Sequence, residues 1–132
     1  MASEFIPAGV IPAVLLPFHD DLSIDEASYR AHLRDVASVQ GLSAITINAH
    51  ASEVASCTFD EQRRVLEISK EELRLPIVNG IYADGSLEAG RLARMADQGG
   101  GSALLVFPPA IYTFGQRPEM ALAHFKRIAD AT

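Results

Sequence analysis

The feature that most constrains this chain is a repeated switch of hydrophobic period. Short apolar runs at Gly9 to Leu16, Ser43 to Asn48, Ile77 to Ile81 and Ala103 to Phe107 alternate with longer stretches whose apolar residues recur at helical spacing. Strands that alternate with helices imply right-handed βαβ units, hence a parallel sheet covered by helices. The repeat is roughly 30 residues, about the length of one such unit.

The helical stretches carry their own boundary signals. Asp25 is placed to cap a first helix, with Tyr29, Leu33, Val36, Ala37 and Val39 mostly on one face before Gly41 ends it. Thr58 and Glu61 fit a capping box at the head of a second, from about Asp60 to Glu72, which is expected to bury Val65, Leu66 and Ile68 or their neighbours. Ser86 opens a third, with Leu87, Leu92, Ala93 and Met95 inward, and Gly99, Gly100 and Gly101 close it. Those glycines precede a strand, whereas a dinucleotide fingerprint follows one. Pro118 suits the first turn of a fourth helix, whose Met120, Leu122, Phe125 and Ile128 form the expected buried stripe.

Composition narrows the class. The 132 residues, 48% of them hydrophobic, suit a single α/β domain over 1–132 with a substantial core. A net charge of −6, with lysines and arginines scattered among acids, offers no basic field for a phosphate backbone, so no nucleic-acid partner is expected. Cys57 is the only cysteine, which excludes an intramolecular disulfide. It has no motif partner and reads as a small packed hydrophobe. The start of the chain lacks signal-peptide regions, and no apolar run approaches the roughly 20 residues that span a bilayer. A cytoplasmic protein without membrane association is the expectation.

Functional loops of parallel α/β proteins gather at the carboxyl ends of the strands. The loop after the second apolar run reads Asn48, Ala49, His50, Ala51, Ser52, Glu53, a polar stretch with small residues whose backbone can lie close to a ligand. His19, Asp20 and Asp21 are adjacent in a polar loop and His32 lies too far along, so no metal site is read there.

The same loop, followed by Asp60 and Glu61, resembles the Gly-Thr-Thr-Gly-Glu motif and acidic helix start of the dihydrodipicolinate synthase and N-acetylneuraminate lyase family, with Glu53 the identical residue. Gly9 to Phe18 is similar to the family's first strand ending in Thr-Pro-Phe, with Leu16 in place of the threonine. Pro76 to Gly80 with Ser86 to Ala89 resembles its third strand and helix. Ala103 to Pro108, Tyr112, and His124 to Ala129 resemble its fourth strand, tyrosine loop and fourth helix. The likeness runs from Gly9 to Ala131.

The resemblance implies a (β/α)8 TIM barrel, of which this chain covers about the first four βα units, because a barrel of this kind needs about 250 residues. It also implies a lyase or aldolase acting on pyruvate or a related 2-oxoacid through a lysine Schiff base, without metal or organic cofactor. The family's lysine lies on its sixth strand. Here only Lys70, among Glu67, Glu71 and Glu72, and Lys126, beside Arg127, are available, both on predicted outer faces. An imine-forming lysine must be partly desolvated so that its amine is neutral often enough to attack, and carboxylate neighbours oppose that. The lysine is therefore expected beyond this chain, which alone would be inactive.

By the same resemblance Tyr112 is the counterpart of a proton-shuttling tyrosine after strand four, displaced by Pro108, Pro109, Ala110 and Ile111. Packing on Ile111 and Phe114 is its alternative role. His50 stands where the family has the first threonine of its pair and is the second candidate catalytic residue, able to pass protons and hold substrate. Its alternative is a loop histidine bonded to backbone. Ala51 cannot supply the second hydroxyl, which favours a relative acting on another 2-oxoacid or aldehyde. The backbone N–H groups of His50 and Ala51 remain able to cradle a substrate carboxylate. Half a barrel leaves its outer strands unpaired and its inner faces open, so a homo-oligomer is expected. Two other readings stay open: a non-catalytic half-barrel or truncated fragment serving assembly or small-ligand binding, and a small doubly wound domain.

Overall fold

The computed structural model describes residues 5–132. Three parallel strands, β1 (Ile45–Ile47), β2 (Ile77–Ile81) and β3 (Ala103–Val106), lie in the order β1-β2-β3, with Ile45 level with Ile77 and Val78 level with Ala103. Four helices follow or precede them: α1 (Glu26–Ala37), α2 (Phe59–Glu72), α3 (Ser86–Gln98) and α4 (Pro118–Ala129).

The first expected strand, Gly9 to Leu16, is not a continuous ladder. It meets β1 and the residue run before it through two isolated parallel bridges, Val10 with Leu42 and Ala13 with Thr46. Val14 N donates to the Thr46 carbonyl at 3.0 Å, and Thr46 N to the Pro12 carbonyl at 2.8 Å. Two residues earlier the matching donor would be the nitrogen of Pro12, which carries no hydrogen. The segment still occupies the place of a fourth strand beside β1.

Capping follows the side chains. Asp25 accepts from Ser28 N at 3.0 Å and from its hydroxyl at 2.6 Å at the head of α1. Both halves of the capping box form on α2: Glu61 N donates to Thr58 Oγ1 at 3.2 Å, and Thr58 N to Glu61 Oε2 at 2.7 Å. Gly99 caps α3, and Gly100 leaves it with φ +83, the left-handed conformation that glycine adopts without a Cβ penalty.

The core lies between the sheet and α1, α2 and α3. Tyr29, Leu33, Val65, Leu66, Ile68, Leu92, Ala93 and Ala96 close over Ile45, Ile47, Ile77 and Ile81. Tyr29 donates its hydroxyl to Ser69 Oγ at 2.9 Å, since Ser69 itself donates to the Val65 carbonyl; burial pushes the phenol up to about 12. Outside the core, Arg30, Arg34 and Arg64 of α1 and α2 pair with Glu26, Glu71 and Glu72.

Four expectations are corrected. Val39 lies past the end of α1 and Leu87 sits on the solvent side of α3, both exposed. In α4 the buried residues are His124 and Ile128, whereas Met120, Leu122 (70% exposed) and Phe125 face away from α3. The strands' inner faces are not open throughout: β1 and β2 are buried along their whole length, because each is flanked by strand-like neighbours on both sides. Exposure is confined to the margins, at Val10 (61%), Leu15 (62%) and Leu105 (40%).

Gly80 is where the two central strands are tied most tightly. A Cβ there would overlap the Asn48 carbonyl oxygen and stand 2.7 Å from its carbon and 3.1 Å from Ala49 Cα. Backbone atoms on a buried turn have little room to yield. Gly80→Ala is expected to lower stability by about 2 kcal/mol or more, as overpacking in a tight core does. A urea melt by circular dichroism measures it, and an unchanged midpoint would show that the turn can move aside.

Candidate functional site

β1 stops at Ile47 because Asn48 takes a left-handed backbone, φ +50, which asparagine tolerates better than most residues. Its side chain fixes the turn: Nδ2 donates to the Gln62 carbonyl of α2 at 3.0 Å and to Asn79 Oδ1 of β2 at 2.9 Å. Asn79 Nδ2 in turn donates to the Gly80 carbonyl at 2.8 Å. Both asparagines are buried, and each amide nitrogen has a partner.

The chain then enters a 3₁₀ turn, His50–Ser52. Ser52, also buried, donates its hydroxyl to the Val14 carbonyl at 2.7 Å, which ties the turn to the segment beside β1. Within the turn, Ser52 N and Glu53 N donate to the carbonyls of Ala49 and His50. The N–H groups of His50 and Ala51 stand at its head, where a helical turn has no internal acceptor for them. His50 and Ala51 are exposed.

The His50 ring lies 4.1 Å from the Phe107 ring and 5.2 Å from the Tyr82 ring, centroid to centroid, at interplanar angles of 53° and 69°. The carboxyl ends of all three strands thus contribute one ring each. Sequence reading singled out His50 but missed Tyr82 and Phe107. A signal was present, since each is the first residue after its strand, where a parallel sheet presents its functional positions.

Tyr112 lies apart from this cluster, on the 3₁₀ turn Ala110–Phe114. Asp84 accepts from Ala110 N at 2.7 Å and anchors that turn to the loop after β2. The Tyr112 hydroxyl donates to the Met120 carbonyl at 3.0 Å, and its ring meets the His124 ring edge-on at 6.3 Å. Ile111 and Phe114 are exposed, so the packing partner of Tyr112 is His124. His124 is 2% exposed between α3 and α4, with Nδ1 2.9 Å from Ser86 Oγ and Nε2 lacking a partner.

Neither lysine faces the rings. Lys126 pairs with Asp130 at 2.7 Å on the outside of α4, and Lys70 lies exposed on α2 beside Gly100. A groove of about 670 Å³ between α2 and α3 is bordered by Phe59, Arg63, Lys70, Arg91 and Arg94, and its lining includes none of His50, Tyr82, Phe107 or Tyr112. Cys57 is half-buried and its thiol is pushed up to about 11, chiefly by burial, which makes it a poor nucleophile. Asp21 accepts from Ser23 N and Oγ in a turn of its own. Among the described residues no three histidines, cysteines or carboxylates gather as a metal site, and no helix is long and apolar enough to cross a membrane.

This architecture, strand ends that carry the loops and helices packed outside, is that of a TIM-barrel α/β protein. Residues 6–132 match the Dihydrodipicolinate synthetase family, and the chain belongs to it. It is 34% identical over 127 residues to the 4-hydroxy-tetrahydrodipicolinate synthase of Methanothrix thermoacetophila, covering 94% of this chain and 41% of that protein. The corresponding enzyme of Agrobacterium fabrum is 32% identical over 125 residues, with 93% and 42% covered. Among solved structures, the 4-hydroxy-tetrahydrodipicolinate synthase of Methylacidiphilum fumariolicum SolV superposes with a TM-score of 0.84 at 23% identity, and N-acetylneuraminate lyase of Mycoplasma synoviae with 0.84 at 20%. Each superposition covers 94% of this chain, and 41% and 43% of the two structures. The chain therefore spans about two fifths of the length of the curated relatives it matches. The fold is that of a half barrel of this family.

His124 yields a pH prediction. Burial lowers its pKa below the ordinary histidine value, so the neutral ring is the form that packs. On unfolding the ordinary value of about 6.5 returns, and as pH falls the unfolded chain binds the proton first. Stability is thus complete above that pH and declines as pH drops through the lower folded value. His124→Gln should flatten the fall in melting temperature between about pH 7 and 5 relative to the parent chain. Parallel slopes in the two proteins would assign the acid sensitivity to other groups.

Proposed function

We propose that this chain forms the His50-bearing half of a Schiff-base lyase or aldolase acting on pyruvate or a related 2-oxoacid. The observation that carries the reading is the position of the His50 turn, at the carboxyl end of a barrel strand in a chain of this family, with the N–H groups of His50 and Ala51 at its head. Those two N–H groups suit a carboxylate, since backbone donors in a turn present partial positive charge without a side chain. His50, exposed and supported by rings, serves as the proton-passing group beside the bound acid. Tyr112 acts as the second proton carrier, and to do so its hydroxyl must leave the Met120 carbonyl.

The imine-forming lysine belongs to a part of the barrel outside these residues. Both lysines present are on outer helix faces, one held by Asp130, where nothing desolvates the amine. Titrating the isotope-labelled chain with pyruvate should shift the amide signals of His50 and Ala51. Borohydride treatment of the same sample should leave the intact mass unchanged. A stoichiometric adduct on Lys70 or Lys126 would place the nucleophile within this chain, and silent amides would remove the carboxylate site.

The assembly we propose is a homo-oligomer in which a second copy covers the margins of the sheet. Val10, Leu15 and Leu105 at those margins, with Met120, Leu122 and Phe125 on α4, are apolar and exposed, a surface that favours association. Melting temperature should then fall on dilution, by mass action. Light scattering that gives a monomer, with melts independent of concentration, would refute the assembly.

A further inference from the structure

One short loop holds the Tyr112 turn at two places. Asp84 accepts from Ala110 N at 2.7 Å at the head of the turn, and two residues later Ser86 Oγ lies 2.9 Å from His124 Nδ1. His124 in turn meets Tyr112 twice. Its ring stands edge-on to the Tyr112 ring at 6.3 Å, and the Met120 carbonyl, which accepts the Tyr112 hydroxyl at 3.0 Å, lies four residues before His124 in α4. In an α-helix that carbonyl is also the acceptor of the His124 backbone N–H, so one oxygen with two lone pairs serves both residues. Tyr112 is therefore held by the residue that Ser86 holds.

The surroundings of His124 suit only a neutral ring. A neutral imidazole carries one N–H, which Ser86 Oγ can accept while Nε2 remains a bare lone pair. The imidazolium carries two, and the second would be a buried, charged donor without an acceptor. No acid on the neighbouring elements compensates. Asp84 accepts from Ala110 N, Glu88 of α3 lies 3.3 Å from Arg91, Asp130 pairs with Lys126 beyond α4, and Glu119 is exposed; among the described residues none of them pairs with His124. Arg94 of α3 and Arg127 of α4 are exposed cations that oppose a further positive charge between the two helices. From the turn, the Tyr112 phenol is committed to Met120. A protonated ring must turn toward water, and because His124 and Ile128 are the residues that α4 buries, its first half loses its seat on α3.

We infer that Ser86 and His124 form a latch that positions Tyr112, closed while His124 is neutral and opened when the ring takes up a proton. His124 is a positioning residue on this reading and takes no part in bond making. The consequence for turnover rests on the proposed proton-carrying role of Tyr112, whereas the latch itself does not. Above the ordinary histidine value of about 6.5 the latch is closed. Burial sets the folded value lower, so opening follows as pH falls through that lower value. Both the ring contact and the bond to Met120 then weaken together.

With three tyrosines in the chain, each ring can be followed separately. The full chain carries ring-labelled tyrosine, assigned through Tyr112→Phe, and a neutral nitroxide in the solvent relaxes each ring signal according to its exposure. From about pH 7 to 5, relaxation of the half-buried Tyr112 ring should rise about threefold, the scale of one lost aromatic contact, with the midpoint of the His124 ring signals. Tyr29, 0% exposed in the core, should stay protected throughout. Ser86→Ala, which removes the hydroxyl without altering either ring, should show the open value already at neutral pH, and Ser86→Thr, which keeps it, the closed one. A Tyr112 ring that stays protected through the His124 titration would overturn the inference. So would loss of Tyr29 protection at the same midpoint, or a folded Ser86→Ala with parental Tyr112 protection. If Ser86→Ala does not fold, the pH series in the parent chain decides alone. No 2-oxoacid enters these measurements, so their failure leaves the pyruvate site standing, and silent His50 and Ala51 amides leave the latch standing.

Discussion

The buried amide chain from Gln62 through Asn48 and Asn79 to Gly80 is the interaction on which the rest of this structure depends. A buried amide without partners costs several kcal/mol in an apolar surrounding, on the order of 2 to 7, so two adjacent asparagines are tolerated in a core only as a connected pair. Here the pair joins α2, β1 and β2 at one level. The carbonyl of Asn48 occupies the space that a side chain at 80 would need, so glycine at that position is a condition of the turn. Where the backbone of β1 turns, the loop that carries His50 is aimed.

The outer layer is held by different means. Tyr29 and Ser69 form the buried polar contact between α1 and α2, and the arginine and glutamate pairs around Arg30 and Arg64 lie mostly in solvent. Exposed pairs contribute little, typically below about 1 kcal/mol each. The apolar contacts of Leu33, Val65, Ile68, Ile45 and Ile77 dominate this packing, and the ions fix orientation.

How much of this was legible in the sequence depended on how local the cause was. Capping boxes and strand runs are written in neighbouring residues, so Thr58 with Glu61, Asp25, and the limits of β2 were readable in advance. The interrupted pairing of Gly9 to Leu16 was partly so, since Pro12 is visible but the donor it fails to supply depends on register. The stripe on α4 was misread for a more general reason. Helical periodicity shows that a face is apolar, not that an element of the same chain lies against it, and α3 packs on the side of His124 and Ile128 instead. Asn48 is legible only as the head of a polar loop, and Asn79 and Gly80 only as part of a strand. Their pairing joins positions separated by 31 residues, which no local pattern announces.

The ring cluster follows from register in the same way. Ile81 and Val106 are level in the parallel pairing of β2 with β3, and Phe107 N donates to the Ile81 carbonyl at 3.0 Å. Tyr82 and Phe107, each one step further, therefore leave the sheet side by side. A slip of one residue in either strand would send its ring to the opposite face, because side chains alternate with a period of two. His50 reaches them by another route, across the left-handed turn at Asn48 and onto a 3₁₀ turn pinned by Ser52 to Val14. Two separate constraints, strand register and a buried amide pair, thus converge on one small surface. Altering the chemistry of that surface through Tyr82 leaves both constraints intact, whereas altering Asn48 or Gly80 removes the geometry on which any chemistry there relies.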